Sequence, residues 1–424
     1  MKIGKIINYH RKKQQMTQEQ LCDGICSISH LSKIENNSKE VNIATLNLLC
    51  LKLGISVEDE KNKVNDIQIK LQIFYDAIER LHHKKAETLY TELSQYKEFV
   101  QYTELLYLYE LYMLRYILFL NKVDLAEQVI EKIEQNTRMF SEFELFVWNV
   151  INAIFNHKRS NFLKSLDLLD GVKDLRKKYR DEVTEYYYLK SLMHCRLGQS
   201  TLAIYFGNKA LEVFKQRNNI IRTLDVKTIL SIHLTEMGEY ERAEDILKEI
   251  LDDAELINNT ALIEMAWHNL GFLYGTQNKS EKALESYYKS LELIEKYTEG
   301  YYLTLSNIAI HLLKLQKSEE VVEILEHELA LFEDTTKIEY IKLQVLYFEA
   351  KKDEEALIHY LMEEGIPLME KYDNWMKVYE YSERIAEYYQ QQGDSHLANK
   401  YLQISLQQMK KTHSTGVNGS KIHN

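Results

Sequence analysis

Three groups of residues in this 424-residue chain have the types and spacing that chemistry requires. Cys22, Cys26 and His30 read C-x3-C-x3-H, a spacing open to thiol oxidation, to metal ligation or to apolar filling by small side chains; we expect filling. In the stretch GICSISHLSKIENN, residues 24–37, Ile28, Ser29 and His30 suit contacts to base edges. Gln18 and Lys33 suit phosphates, with Ser27, Ser32 and Asn36 beside them. Asn269 and Asn307 form the third group. A carboxamide donates to a C=O and accepts from an N–H, so this pair suits an extended peptide main chain. His268, Phe272, Thr228, Asp225 and Ser306 are placed to complete such a pocket. The alternative is that the asparagines are solvated or bond only their own helices. Arg115 is a further candidate, for a carboxylate, and Trp148, Asn149 and Asn152 are placed similarly.

No Ser/His/Asp order, Gly-rich phosphate loop, H-E-x-x-H or C-x2-C pair occurs, and the 14 histidines are scattered. We therefore expect no catalysis, cofactor or metal.

The elements that must position these residues are helices. One proline and 14 glycines in 424 residues, against abundant Leu, Glu, Lys, Ile and Gln, favour an all-α protein. No apolar run reaches the roughly 18–20 residues that span a bilayer, and the N-terminus turns polar too early for a secretory signal. A cytoplasmic protein with four reduced cysteines and no membrane partner is the expectation. Charge is uneven: residues 1–55 hold eight Lys/Arg against four Asp/Glu, leaving 45 against 60 for the rest. A basic module precedes an acidic body that repels DNA in general.

Within residues 1–55, IGKIINYHRKK puts Ile3, Ile6, Ile7 and His10 on one helical face. Thr17 and Gln20 form a capping-box pattern, Gly24 ends the second helix, and Ser27 or Ser29 caps a third. Leu31 and Ile34 of that third helix face inward. A fourth, IATLNLLCLKLG, is capped by Asn42 and stopped by Gly54, with Leu46, Leu49, Cys50 and Leu53 inward. A short Gly-containing turn between the second and third helices is what a helix-turn-helix needs. TQEQL and ICSISHLSKIENN resemble the Xre/Cro-type helix-turn-helix of phage repressors. That resemblance implies pairing of Glu35 with Arg11 and puts Asn37, which tolerates positive φ, where the family has a turn glycine.

From residue 67 the chain repeats at a spacing near 40. Ala203, Ala243, Ala283 and Ala398 fall at one equivalent position, with Ala86, Ala126, Ser165, Val321 and Ala356 as weaker equivalents, giving about nine units. A small residue there allows two helices to cross closely. About five residues upstream stand Asn121, Gly198, Gly238, Asn278 and Gly393, suited to a left-handed turn. Trp267, Leu270, Gly271, Tyr274, Ala283 and Tyr287 resemble the tetratricopeptide repeat, W-x2-L-G-x2-Y followed by Ala and an aromatic. The repeat implies a right-handed superhelix whose first helices line a concave groove, with Asn269 and Asn307 at the sixth position of consecutive units.

Together the halves resemble the peptide-pheromone regulators of Gram-positive bacteria, the Rap, NprR, PlcR and PrgX group, and nine units are more like NprR or a long PlcR paralogue than PlcR itself. The resemblance implies a quorum-sensing transcriptional regulator: a homodimer on a palindromic double-stranded operator, controlled by a short signalling peptide. The rival is a Rap-like scaffold that sequesters or dephosphorylates a response regulator. The expected domains are a reader at 1–55, a linker at 56–66, repeats for peptide binding and dimerisation at 67–411, and a disordered tail at 412–424.

Overall fold

The computed structural model describes residues 3–38, 42–179, 183–372 and 374–414, and every regular element among them is a helix. The reader is built from α1 (Ile3–Lys13), α2 (Gln18–Cys22), α3 (Ile28–Glu35) and α4 (Ile43–Lys52). Thr17 and Gln20 close the capping box: Thr17 Oγ1 accepts from Gln20 N–H at 3.1 Å and Gln20 Oε1 accepts from Thr17 N–H at 2.8 Å. Ser27, rather than Ser29, caps α3 by accepting from His30 N–H at 3.2 Å. Ile7, Leu21, Cys22, Leu31, Ile34, Leu49, Cys50 and Leu53 form the core, with Leu46 partly buried against them.

Residues 56–66 are not a linker. Ser56 caps α5 (Val57–Glu79), accepting from Asp59 N–H at 3.3 Å, and Glu58, Asp59 and Glu60 occupy the first turn, where the helix dipole favours negative charge. The apolar pattern starts late because the inward position of the first turn is held by Glu60, which faces His10 of α1 at 3.0 Å. Nor is the reader a free module. Ile6 belongs to the same core as Val64, Ile67 and Leu71 of α5, and Tyr9 meets Phe99 edge-on at 5.4 Å.

After α5 come α6 (His83–Ser94), α7 (Lys97–Val100), α8 (Leu106–Phe119), α9 (Val123–Glu134), α10 (Glu142–Lys158), α11 (Phe162–Gly171) and α12 (Lys173–Tyr179). Then follow α13 (Tyr186–Arg196), α14 (Ser200–Gln216), α15 (Ile220–Glu236), α16 (Tyr240–Leu256), α17 (Thr260–Thr276), α18 (Ser280–Leu293), α19 (Glu299–Lys314) and α20 (Ser318–Ala330). The series ends with α21 (Ile338–Lys351), α22 (Glu354–Tyr360), α23 (Ile366–Lys371), α24 (Trp375–Gln391) and α25 (Ser395–Ser414). Apart from the short α7 and α12, these pair into nine helical hairpins among the described residues, α22 and α23 together making the second helix of the eighth. Of the expected tail, residues 412–414 continue α25 and 415–424 lie outside the described residues.

Each hairpin turns on one residue with positive φ: Leu81, Asn121, Ser160, Gly198, Gly238, Asn278, Gln316, Lys352 and Gly393. Five residues beyond each stands the small or apolar side chain that packs in the crossing. Ala86, Ala126, Ser165, Ala203, Ala243, Ala283 and Val321 are fully buried there, and Ala398 nearly so. In the eighth hairpin the residue five beyond Lys352 is Leu357, which is buried, whereas Ala356 is half-exposed; the alanine marks the wrong register there. That second helix is also interrupted, because Pro367 lacks an N–H and its ring crowds the preceding turn. A π-helical turn at Leu361–Gly365 absorbs the mismatch before α23.

Gly271 has a packing reason. A Cβ at Gly271 would lie 2.6 Å from the ring of Tyr287, so glycine on α17 admits the tyrosine of α18. The chain divides into two compact units, Met1–Leu189 and Lys190–Asn424, each described by itself below.

Candidate functional site

The reader's α3 is held from beneath and presents its other side to water. Arg11 binds Glu35 with both nitrogens, Nε to Oε1 at 2.6 Å and Nη2 to Oε2 at 3.0 Å, while its Nη1 donates to Met16 C=O at 2.8 Å. Leu31 and Ile34 point into the core, leaving Ser27, Ile28, Ser29, Lys33 and Asn36 exposed and His30 and Ser32 half-buried. Gln18 differs from expectation: its amide donates to Glu35 Oε2 at 2.8 Å, so it supports the buried pair instead of standing free for phosphate. Asn37 adopts φ 51°, and its Oδ1 accepts from Gly4 N–H at 3.2 Å. The turn asparagine therefore also ties α3 to the start of α1.

The cysteines of this unit sit in or against the reader core. Burial, reinforced by Cys22, pushes the Cys26 thiol up, and burial pushes Cys50 up to about 11. Both shifts disfavour the thiolate that oxidation or metal ligation would require.

Arg115, on α8, is not an open receiver for a carboxylate. Its Nη2 lies 2.9 Å from Glu185 Oε1 and 3.0 Å from Oε2, with both side chains buried. Glu79, at the end of α5, accepts from Thr184 N–H at 2.8 Å beside this pair. Burial, and then the Glu185 charge, raise the Glu79 carboxyl to about 8. The folded chain thus keeps a proton on Glu79 at pH values where the unfolded chain, titrating near 4.5, has lost it. Stability contributed by that proton is full below about 4.5 and lost as pH rises through about 8. Glu79→Gln, whose Oε1 can still accept from Thr184, should flatten this decline. Hydrogen exchange of the Met1–Leu189 unit across that pH window measures it, and an unchanged slope would assign the decline to another group.

In the Lys190–Asn424 unit the groove candidates fall on three successive first helices. Asp225 and Thr228 are on α15, His268, Asn269 and Phe272 on α17, and Ser306 and Asn307 on α19. His268 Nδ1 meets Thr304 Oγ1 at 2.9 Å, joining α17 to α19, and its ring stands edge-on to Tyr287. Several polar groups are satisfied locally: Asn269 Nδ2 donates to Met265 C=O (2.8 Å), Thr228 Oγ1 to Leu224 C=O (3.0 Å), and Ser306 Oγ to Tyr302 C=O (2.8 Å). Asp225 accepts from Arg222 Nη1 at 3.1 Å. Asn307 differs. It is 7% exposed, and its Nδ2 has no hydrogen-bond partner among the described residues. A buried amide N–H without a partner is costly, and a ligand carbonyl would satisfy it. In the other unit Asn149 Nδ2 donates to Leu145 C=O at 2.8 Å, Asn152 Oδ1 accepts from Asn156 at 2.9 Å, and Trp148 is buried.

Sequence reading missed two buried charged groups here. Lys227 on α15 bridges Glu249 (3.1 Å) and Asp253 (3.0 Å) of α16. Arg222 is buried beside Asp225. Lys and Arg in an apparently amphipathic helix are assigned to the outside unless their partners on the next helix are known. His311 was missed too, as a buried neutral group: burial holds its imidazole down to about 4, and it stacks on Tyr287 with Ser280 Oγ at 3.2 Å.

The family described as Helix-turn-helix matches residues 7–59. The chain is 25% identical over 418 residues to the transcriptional activator NprA of Geobacillus stearothermophilus, covering 92% of this chain and 99% of that protein. Among solved structures, the apo form of the quorum sensor NprR from B. thuringiensis matches with TM-score 0.71 at 22% identity, over 81% of this chain and 99% of that one. NprR in complex with its cognate peptide NprX matches with TM-score 0.62 at 22% identity, over 81% and 98%. These likenesses bear out the resemblance to the Rap, NprR and PlcR group.

Proposed function

We propose that this chain, built on the plan of the Rap, NprR and PlcR group, is a DNA-binding transcriptional regulator controlled by a short signalling peptide. In this reading α3 enters the major groove, Ser27, Ile28, Ser29 and His30 face base edges, and Lys33 and Asn36 meet the phosphate walls. Two protomers then read the half-sites of a palindrome, since one such helix contacts only one half-site. The observation that carries the reading is the α3 surface: polar and exposed over a core locked by Arg11, Glu35 and Gln18. NprA, named a transcriptional activator, and NprR, solved with NprX, support it as relatives in sequence and fold.

In the same reading the peptide lies along α15, α17 and α19, with its main chain against Asn269 and Asn307. The ligand acts through its different affinity for two arrangements of the readers. No helix among the described residues is long and apolar enough to cross a membrane.

Capture of genomic fragments by the purified protein, with and without the small-peptide fraction of its own culture, tests both halves. A palindromic site whose yield shifts with the peptide fraction supports them; a site that does not shift removes the peptide, and no enrichment favours the response-regulator scaffold. Ser29→Ala with Lys33→Ala should lower operator affinity by about 100-fold without loss of helix, since base and phosphate contacts are both removed. Retained affinity would move the reading surface off α3. Asn269→Ala with Asn307→Ala should weaken peptide binding by about 10-fold, in line with the loss of one or two hydrogen bonds, and leave DNA affinity of the unliganded protein unchanged. Calorimetry with the peptide recovered from the fraction reads this out, and wild-type affinity in the double variant would place the peptide elsewhere.

A further inference from the structure

Helix α4 is apolar on both sides. Its inward residues, Leu46, Leu49 and Cys50, pack in the reader core with Leu53 at its C-cap. Its outward residues are Ile43, Asn47 and Leu51, spaced by four, with Ala44 and Leu48 in the next row. Ile43 is 72% exposed, Leu48 49% and Leu51 76%, and Ala44 and Asn47 are exposed with them. A helix that is apolar all round belongs in an interior, and a contiguous exposed apolar face marks a contact that a single copy of the chain does not make.

The charge around this face decides what can cover it. Residues 1–55 hold eight Lys/Arg against four Asp/Glu, and Lys5, Lys12, Lys13 and Lys33 make α1 and α3 basic. Two copies of such a module repel one another through most of their surface. α4 is the exception. Its one charged residue is Lys52, whose Nζ donates to Asp23 C=O at 2.8 Å, at the end of α2 and away from the row of Ile43, Asn47 and Leu51. An uncharged face can meet its own copy about a two-fold axis without setting like charges against each other. The face offers phosphate no cation, so DNA is not what covers it.

The size of the face sets the condition for contact. Three large side chains with an alanine and an asparagine fall well short of the roughly 800 Å² per partner that a stable interface buries. Such a face does not hold two copies together unaided, but it suffices when a palindrome already holds two readers and the contact becomes intramolecular. We propose that α4 of one reader packs on α4 of a second copy when both occupy one operator. The contact rests on the DNA-binding reading of α3, and adds to it the surface through which two readers bind together more tightly than either alone.

The test compares, with the full-length chain, DNA duplexes carrying the palindrome recovered by genomic capture and duplexes in which one half-site is scrambled. Ile43→Gln with Leu51→Gln adds no charge and leaves α3 as it is. This double variant should bind the single half-site within about 2-fold of wild type, and the whole palindrome about 10- to 100-fold more weakly, the range for two large apolar side chains per copy losing their cover. Asn47→Cys, in the middle of the face, should be joined to a second copy by a short bis-maleimide on the palindrome and not on the half-site, above the wild-type background. That result does not depend on the double variant folding. Wild-type affinity for the palindrome in the double variant overturns the proposal and leaves the DNA-binding reading intact, and is also the result expected if a different protein covers α4. Asn47→Cys cross-linked no better on the palindrome than on the half-site overturns it equally. Failure of the wild type to bind either duplex would instead remove the DNA-binding reading, and this contact with it.

Discussion

Arg115→Met is expected to destabilise the Met1–Leu189 unit by about 3–5 kcal/mol, the cost of removing one partner from a buried ion pair. Methionine fills much of the arginine's volume, so the loss is electrostatic before it is steric. Arg115 and Glu185 have side chains 5% and 1% exposed, and Glu79 stands beside them with its carboxyl already raised to about 8. Without the guanidinium, two carboxylates share one desolvated site, and both must take protons to remain there. The damage should therefore be greatest at alkaline pH and partly relieved by acid, in the same direction as the wild-type decline through Glu79 but steeper. Adding Glu185→Gln to Arg115→Met should recover a large part of the loss, because the second substitution removes the stranded charge. Hydrogen exchange resolved along the chain is the suitable measurement, since a protein with two compact units has no single unfolding free energy. Wild-type protection of α5, α8 and the start of α13 in the single variant would mean that the pair contributes little to this unit.

The same residues show what a sequence does and does not disclose. Arg115 reads as an inward-facing cation and invites a ligand, because its partner Glu185 is 70 residues away and separation along the chain carries no signal of contact. Gln18 fails as a phosphate contact for the same reason: Glu35, 17 residues on, claims its amide. The reader itself is legible, since capping residues, the turn glycine and the inward Leu31 and Ile34 are local patterns that the tertiary structure only reinforces. Five of the nine hairpin turns are legible as Asn or Gly. The other four, Leu81, Ser160, Gln316 and Lys352, are residues with no preference for positive φ, held there by the helices on either side. Residues 56–66 look like a connector because Glu60, the inward group of that turn, is charged, and hydropathy cannot anticipate His10 opposite it. In the groove, residue type identified polar groups on three consecutive helices, but only coordinates separate Asn269, bonded to its own helix, from Asn307, whose buried N–H is left over.

Gly4→Ala should cost the reader about 3 kcal/mol and abolish specific DNA binding, although alanine is the better helix former by about 1 kcal/mol. A Cβ at Gly4 would stand 1.8 Å from Ile34 C=O and 2.8 Å from Asn37 Oδ1. The first of these is backbone in the last turn of α3, so no side-chain rotation relieves it, and α1 or α3 must move. Movement at that end is not independent of the other, where Arg11 grips Glu35 and Met16. Because the Gly4 N–H to Asn37 Oδ1 bond and the Arg11–Glu35 pair, from the two ends of α1, both hold the C-terminal end of α3, a shift of α1 tilts the helix that carries Ser29 and Lys33. The helix is kept but mis-aimed, and base contacts fail with small displacements. α1 also packs through Ile6 and Tyr9 on the α5 and α7 surface, so moving α1 instead would disturb the first hairpin. Gly171→Ala is the control, since a Cβ there meets nothing within 4 Å. Operator affinity, together with hydrogen exchange over residues 3–38, separates the cases: lost affinity and faster exchange in Gly4→Ala but not in Gly171→Ala is expected. Full affinity in Gly4→Ala would show that α1 and α3 do not approach this closely in solution, and would move the origin of the reader's rigidity to the Arg11 and Glu35 pair alone.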